Sequence, residues 1–176
     1  MGFEVKIADC PAEFDQLYQL NYQTFVEEIA QHQQNDTRKL VDKFDQLNTY
    51  FVVKDAEEVV GMMAINTLRP FSLDHKIVNI DQYLPAHQHL SEVRLLSVKP
   101  EKRNGKIFLL LLQAICDYGN THLIDMAVIS GTVLQLNLYH RIGFVDFAKP
   151  VGTALAMYQP MYISMKNLEK YLSTFQ

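Results

Sequence analysis

The chain has no excess of positive charge. Sixteen lysines and arginines face twenty acids, for a net charge of -4 and a pI near 5.8. A nucleic-acid footprint needs clustered cationic residues, so that class of partner is set aside. Long apolar runs are missing too. The longest, Ile107 to Leu112, is six residues, against the ~20 that a helix needs to span a bilayer. The opening MGFEVKIADC mixes a lysine with two acids and has no apolar leader, so it does not read as a signal peptide. Cysteine is scarce. Cys10 and Cys116 share no short motif, and both are expected to be reduced thiols of a cytoplasmic protein. There is no internal repeat and no low-complexity linker.

What is present suits one globular domain, 1–176. Hydrophobic residues make up 48% of 176 positions, enough for a substantial core. FEVKIA (3–8) alternates as a strand does, and 10–31 has helical spacing with Pro11 at an early position. QHQQNDTRK (31–39) reads as loop. Residues 50–66 read as two strands around a turn at 55–58. The stretch 68–89 is connection, with a short helix near 77–83. EVRLLSV (92–98) is a strand that Pro100 ends. Residues 105–119 carry a helical stripe of Ile107, Leu110, Leu111, Ala114 and Ile115. A strand at 123–130, a helix at 132–140, strands at 143–148 and 160–165, and a polar tail complete the pattern. Strands alternating with helices predict an α/β fold with a mixed sheet.

The segment 92–118 is the most informative. A strand runs into a polar loop and then straight into a helix, and Arg103, Asn104, Gly105 and Lys106 sit at the junction. Free N–H groups, a helix dipole and positive charge together suit an anion; a solvated turn is the alternative. His87-Gln88-His89 has no third ligand in view, so no metal is expected. Cys116 belongs to the helix stripe and reads as core. Ser130-Gly131 lacks the G-x-S-x-G pattern of a nucleophile and reads as strand-end geometry. Glu27 and Glu28 read as a charged helix face.

Two motifs carry a family resemblance. Val98-Lys99-Pro100-Glu101-Lys102-Arg103 is similar to the start of the acyl-CoA motif of the GNAT superfamily of N-acyltransferases. Leu138-Tyr139-His140-Arg141-Ile142-Gly143-Phe144 resembles that superfamily's LY-x-x-x-GF motif. Counted from Arg103, the superfamily's glycine positions hold Lys106 and Phe108, with Gly105 one residue early, and Thr132 stands where asparagine is usual. The resemblance implies a mixed, mostly antiparallel sheet with a central splayed parallel pair and helices on both faces. It implies transfer of an acyl group from acyl-CoA, or an acyl-carrier protein, to a small-molecule amine. The thioester is then expected where strands 92–98 and 123–130 splay apart, against Leu96, Ser97 and Val98, with phosphates on Arg103, Asn104, Gly105, Lys106, Ile107 and Phe108.

Within that superfamily, LNYQTFVEE (20–28), LVDKFD (40–45) and 50–65 resemble the acyl-homoserine-lactone synthases and the N-acyl amino acid synthases. Their DxxD element corresponds to Asp42 and Asp45, while Asn21 replaces an arginine common in that group. The segment 150–165 resembles GNAT-like domains joined to aminotransferases, which implies an aminotransferase as a functional neighbour.

Amide formation from a thioester needs a base for the amine, donors for the oxyanion and an acid for the leaving thiolate. Glu92 is the expected base, with a salt-bridged glutamate at a strand start, facing solvent, as the alternative. Period-2 geometry puts it on one face with Arg94, Leu96 and Val98, so Arg94 is expected to pair with it or orient an acidic substrate. Tyr139 is the expected acid, since a phenol with a pKa of about 10 suits donation to a thiolate whose free pKa is about 8.5 or above; a packed aromatic with its hydroxyl bonded to backbone is the alternative. A bulge near Leu96 to Val98 is expected to free oxyanion donors. Asp42 and Asp45, at i and i+3, can position an amine or cap a loop. Met62-Met63-Ala64-Ile65 reads as core, with a lining for a long acyl chain as the alternative. No serine or cysteine is set for an acyl-enzyme, so attack is direct. A noncatalytic thioester-binding or docking module is the competing function.

Overall fold

Among the described residues, apolar residues at every second or every third to fourth position settle into eight strands and four α-helices. The computed structural model describes residues 2–154 and 156–175. The resemblance drawn on 150–165 is thus followed without Leu155, which lies outside the described residues. These fall into two compact units, Met1–Ile65 with Leu95–Ile115, and Asn66–Arg94 with Cys116–Gln176.

In the first unit, strand β1 (Glu4–Ile7) pairs antiparallel with β2 (Asn48–Asp55), from Glu4↔Lys54 to Ile7↔Phe51. A tight turn at Ala56 leads into β3 (Glu58–Asn66). Helix α1 (Pro11–Tyr22) covers this meander with Leu17 and Leu20, which join Val52, Val59, Met62 and Ala64 in one core cluster. Met62, Met63, Ala64 and Ile65 are each 2% exposed or less, as a core stretch is. Past Tyr22 the helix widens into π-helical turns over Gln23–Glu28, where the Ile29 N–H reaches back five residues to the Thr24 carbonyl. Helix α2 (Lys106–Thr121) begins here, with Ile107, Leu111 and Ile115 buried at i, i+4, i+8.

In the second unit, β4 (Leu90–Val98) begins as the parallel partner of β5 (Met126–Thr132). That ladder holds three pairs and ends at Glu92↔Val128, while β5 runs on to Thr132 along antiparallel β8 (Ala156–Ser164). Short strands β6 (Val145–Asp146) and β7 (Val151–Thr153) add to β8, and helix α3 (Leu136–Ile142) precedes β6. The sheet order is β1-β2-β3-β4-β5-β8-β6, with β7 also on β8. It is the expected mixed sheet: mostly antiparallel, with one parallel pair. Among the described residues, no helix is long and apolar enough to cross a membrane.

Several boundaries differ from the sequence reading, for local reasons. The strand expected from 123 starts at 126, because the Ile124 N–H bonds the Gly119 carbonyl and Leu123 turns left-handed (φ 56) to close α2. The strand expected at 143–148 holds two paired residues, and β8 begins four residues earlier than expected. The polar tail is a helix, α4 (Met165–Leu172). Its N-cap Ser164 accepts from the Asn167 N–H, and it buries Met165, Leu168 and Leu172. Three apolar residues among polar neighbours suffice when their spacing puts them on one face.

Candidate active site

The end of β5 and helix α3 fix Tyr139. Gly143 (φ 112) ends α3 in the left-handed region that favours glycine, and its N–H bonds the Tyr139 and His140 carbonyls. This explains the glycine of the LY-x-x-x-GF motif. The Tyr139 ring lies directly on Gly131, where a Cβ would come within 2.8 Å of it. Phe144 meets the ring edge-on at 6.0 Å. Burial lifts the Tyr139 phenol above its ordinary 10, and a backbone hydrogen bond from Thr132 pulls the other way. Thr132 also accepts from the Leu134 N–H at 3.5 Å, and so caps the turn before α3.

A second phenol stands beside the first. Tyr158 pairs with Thr132 across β5 and β8, is 8% exposed, and has its pKa raised by burial and then by the charge of Tyr139. The Lys76 ammonium lies 5.6 Å from the centre of its ring. No local pattern marks this pairing, because the β5–β8 register sets it.

Glu92 is 1% exposed and held on both oxygens. Oε1 accepts from the Ser72 hydroxyl at 2.6 Å and the Leu73 N–H at 3.1 Å; Oε2 accepts from the Ser72 N–H at 2.8 Å. Arg94 Nε lies 3.5 Å from Oε2. The expected Glu92–Arg94 pairing is present, but the alternative of a solvent-facing glutamate is not. Ser72 lies twenty positions upstream, so no local pattern flags it.

In the first unit, β4 does not keep one face. Leu95, inside β4, has φ 57. The left-handed residue breaks the pleat, so the single face drawn through Glu92, Arg94, Leu96 and Val98 is corrected at that point. Beyond the break, the Ser97 hydroxyl is buried with no hydrogen-bond partner.

The loop after β4 binds most of its own charge. Arg103 donates to the Val98 carbonyl at 2.8 Å and pairs with Glu28 at 2.7 Å. Lys102 pairs with Asp55 at 2.7 Å, and Lys99 with Glu58. Glu28 therefore serves the loop instead of forming only a charged helix face. Asn104 Oδ1 accepts the Lys106 N–H at 3.1 Å. Gly105 has φ 86, with open space where a side chain would be. Lys106 is exposed and lies 5.2 Å from the Phe3 ring centre; Ile107 is buried and Phe108 is half-buried.

Asp42 and Asp45 come together in one polar network. Asp45 accepts the Tyr50 hydroxyl at 2.8 Å and the Tyr18 hydroxyl at 3.0 Å. Asp42 accepts the Phe44 N–H at 2.9 Å and the Asn48 amide at 3.0 Å. Burial, then hydrogen bonding to Asp45, pushes the Tyr18 phenol up to about 12. Asn21 is fully buried with its amide on the Leu40 carbonyl, and its Oδ1 and the Oδ1 of Asn48 are unpartnered.

The remaining expected positions are placed as follows. His87 contacts Asp81 and the Pro85 carbonyl, and Cys116 is buried with its thiol pushed up to about 11 by burial. Among the described residues, the carboxylates of Asp9 and Glu13 converge with the Cys10 thiol, but Lys6 already pairs with both acids and Lys54 with Glu13.

These arrangements meet known proteins at one point. The sequence profile of the acetyltransferase (GNAT) domain matches residues 20–113, just over half of the chain. The chain belongs to the GNAT acetyltransferase family. It is a GNAT-family N-acyltransferase, and acyl transfer is its chemistry. No curated protein matches the sequence. Several solved structures share the GNAT fold seen here. The CoA-dependent acyl-homoserine lactone synthase BjaI is 18% identical, with a TM-score of 0.80 over 98% of this chain and 89% of its own. The AHL synthase LasI is 17% identical, with a TM-score of 0.78 over 98% and 95%. FeeM, an N-acyl amino acid synthase from uncultured soil microbes, is 14% identical, with a TM-score of 0.77 over 99% and 98%.

Proposed function

We propose that this GNAT acyltransferase moves an acyl group from an acyl-CoA thioester to a small-molecule amine by direct attack, with Tyr139 as the acid. The fixed Tyr139 hydroxyl carries this reading. Its ring is wedged between Gly131 and Phe144, and burial keeps the phenol protonated. The amine nitrogen bonds the thioester carbonyl carbon and the C–S bond breaks. The leaving sulfur takes the Tyr139 proton, and the nitrogen gives up one of its own. Glu92 receives that proton through the Ser72 hydroxyl, which donates to it at 2.6 Å. Arg94 balances the Glu92 charge or orients an acidic acceptor.

On the first unit, taken by itself, this reading assigns the following donor contacts. The carbonyl oxygen takes N–H groups of Leu96, Ser97 and Val98, next to the unpartnered Ser97 hydroxyl, past the left-handed break at Leu95. The phosphates rest on the backbone of Arg103, Asn104, Gly105, Lys106, Ile107 and Phe108, where Gly105 leaves room and Lys106 supplies charge. Asp42 and Asp45 order the loop next to Asn48 of β2 and Asn21 of α1, whose unpartnered oxygens accept the amine's N–H groups. FeeM is named an N-acyl amino acid synthase, and BjaI was solved with SAM and isopentyl-CoA. Amino acids and branched acyl-CoA therefore head the substrate panel.

The test is free-thiol release with acetyl-, isopentyl- and long-chain acyl-CoA against amino acids and other primary amines. Turnover that needs both an acyl-CoA and an amine supports the reading. Acyl-CoA binding without turnover of any amine removes it in favour of a binding module, and turnover with acyl-carrier protein alone moves the donor to that carrier.

A further inference from the structure

A cavity of about 420 Å³ in the second unit takes no part in the chemistry above. Its floor is apolar: Phe71, Leu90 and Ile124. Its wall carries Thr67, Arg69, His87, Gln88, His89 and His122, with Asp81. The volume suits a small molecule.

The hydrogen bonds of the wall indicate the charge of the occupant. Every nearby carboxylate already has donors. Asp81 accepts from Arg69 at 2.6 Å on one oxygen and contacts His87 at 3.0 Å on the other. Asp125 accepts the Gln88 and His89 N–H groups at 2.8 and 3.0 Å. Asp74 accepts the Phe71 N–H at 2.7 Å and faces Arg69 Nε at 3.5 Å. Among the described residues, the Thr67 hydroxyl, the Gln88 amide and the His89 ring have no hydrogen-bond partner and each can donate; His122 donates through Nδ1 to the Tyr118 carbonyl, so its Nε2 donates only in the charged imidazolium form. With the carboxylates satisfied, these groups are free to turn N–H and O–H donors on an anion beside Arg69.

The wall is also held in place. The Arg69 guanidinium lies 5.0 Å over the Phe71 ring, and His122 stacks on Tyr118 at 3.8 Å. Side chains ordered in advance lose little freedom when a ligand arrives. We propose that this cavity binds a small molecule bearing a carboxylate or phosphate on an apolar body. The anion meets Arg69, His89 and His122, and the body rests on Phe71, Leu90 and Ile124. The proposal does not depend on the thioester reading.

The experiment is amide chemical-shift mapping of the full chain titrated with sodium benzoate, phenyl phosphate or benzyl alcohol. Benzoate or phenyl phosphate is expected to shift Gln88, His89, Leu90 and Ile124 saturably, and the tighter of the two identifies the anionic group. Benzyl alcohol, equal in shape but neutral, is expected to bind at least fivefold more weakly. His89→Ala and His122→Ala remove exposed side chains and are each expected to weaken the anion at least threefold. Equal response to benzyl alcohol, shifts confined to other residues, or undiminished affinity in both variants would overturn the proposal. The wild-type titration decides it even where a variant folds poorly.

Discussion

Gly131 and Tyr139 share one volume: the aromatic ring occupies the place where a side chain on the strand would begin, 2.8 Å from an ideal Cβ. The glycine at the end of β5 is therefore a seat for the tyrosine of α3. Gly131→Ala is expected to cost about 1–3 kcal/mol through overpacking and to lower turnover at least tenfold by displacing the hydroxyl. Urea unfolding and thiol-release rates check both effects. In a Tyr139→Leu background the same alanine should cost clearly less; an unchanged cost would show that the clash lies elsewhere.

Tyr139→Phe removes the proposed acid and leaves the ring packing intact. Turnover is expected to fall by about 10²-fold or more, with acyl-CoA affinity, read by calorimetry, within about threefold. Burial raises the phenol above 10, so the proton stays in place through neutral and mildly alkaline solution. The ratio of wild-type to Tyr139→Phe turnover should thus stay level from about pH 7 to 9.5. A ratio that collapses below pH 9 would reject Tyr139 as the donor.

Glu92→Gln leaves two donors facing the new amide and Arg94 without its buried partner. Breaking such a pair costs about 3–5 kcal/mol, and denaturant unfolding should show most of it. Ser72→Ala keeps the charge and loses one hydroxyl, for about 1–2 kcal/mol. If the proton passes through that hydroxyl, Ser72→Ala should still bind acyl-CoA normally while turnover falls. Undiminished turnover would restrict Glu92 and Ser72 to holding the turn at Leu73.

Glu13 provides a check on pH-dependent stability. Its carboxyl lies well below the ordinary 4.5, at about 2: backbone and lysine hydrogen bonds to the charged form outweigh burial, which acts the other way and is the largest single influence. A depressed carboxylate contributes stability that is complete above its unfolded pKa and is lost as pH falls toward the folded one. Unfolding free energy should therefore drop between about pH 4.5 and 2, and Glu13→Gln should flatten that drop. An unchanged slope would place the acid sensitivity in other groups.

The legible parts of this chain were those in which one element carries the whole signal. The stripe of Ile107, Leu111 and Ile115 is local to α2, and the Gly143 cap is local to α3, so the family motif and most strands could be read directly. α4 does not show in the sequence because Met165, Leu168 and Leu172 sit among polar residues, and only packing distinguishes them from a solvated tail. The expected bulge is at Leu96 to Val98, whereas the left-handed residue is Leu95, one position before it.

The sequence by itself determined the family and the mixed sheet, and it marked Tyr139, Glu92 and the Arg103 loop as places to look. These follow from hydrophobic spacing and short motifs, which depend on neighbours a few residues apart. Only the tertiary structure decided the surroundings of those groups: Ser72 on Glu92, Tyr158 beside Tyr139, Glu28 on Arg103, and two tyrosines on Asp45. Those partners lie far apart in the chain or depend on strand register. Burial and hydrogen bonding, which set what a side chain can do, are properties of the packed chain.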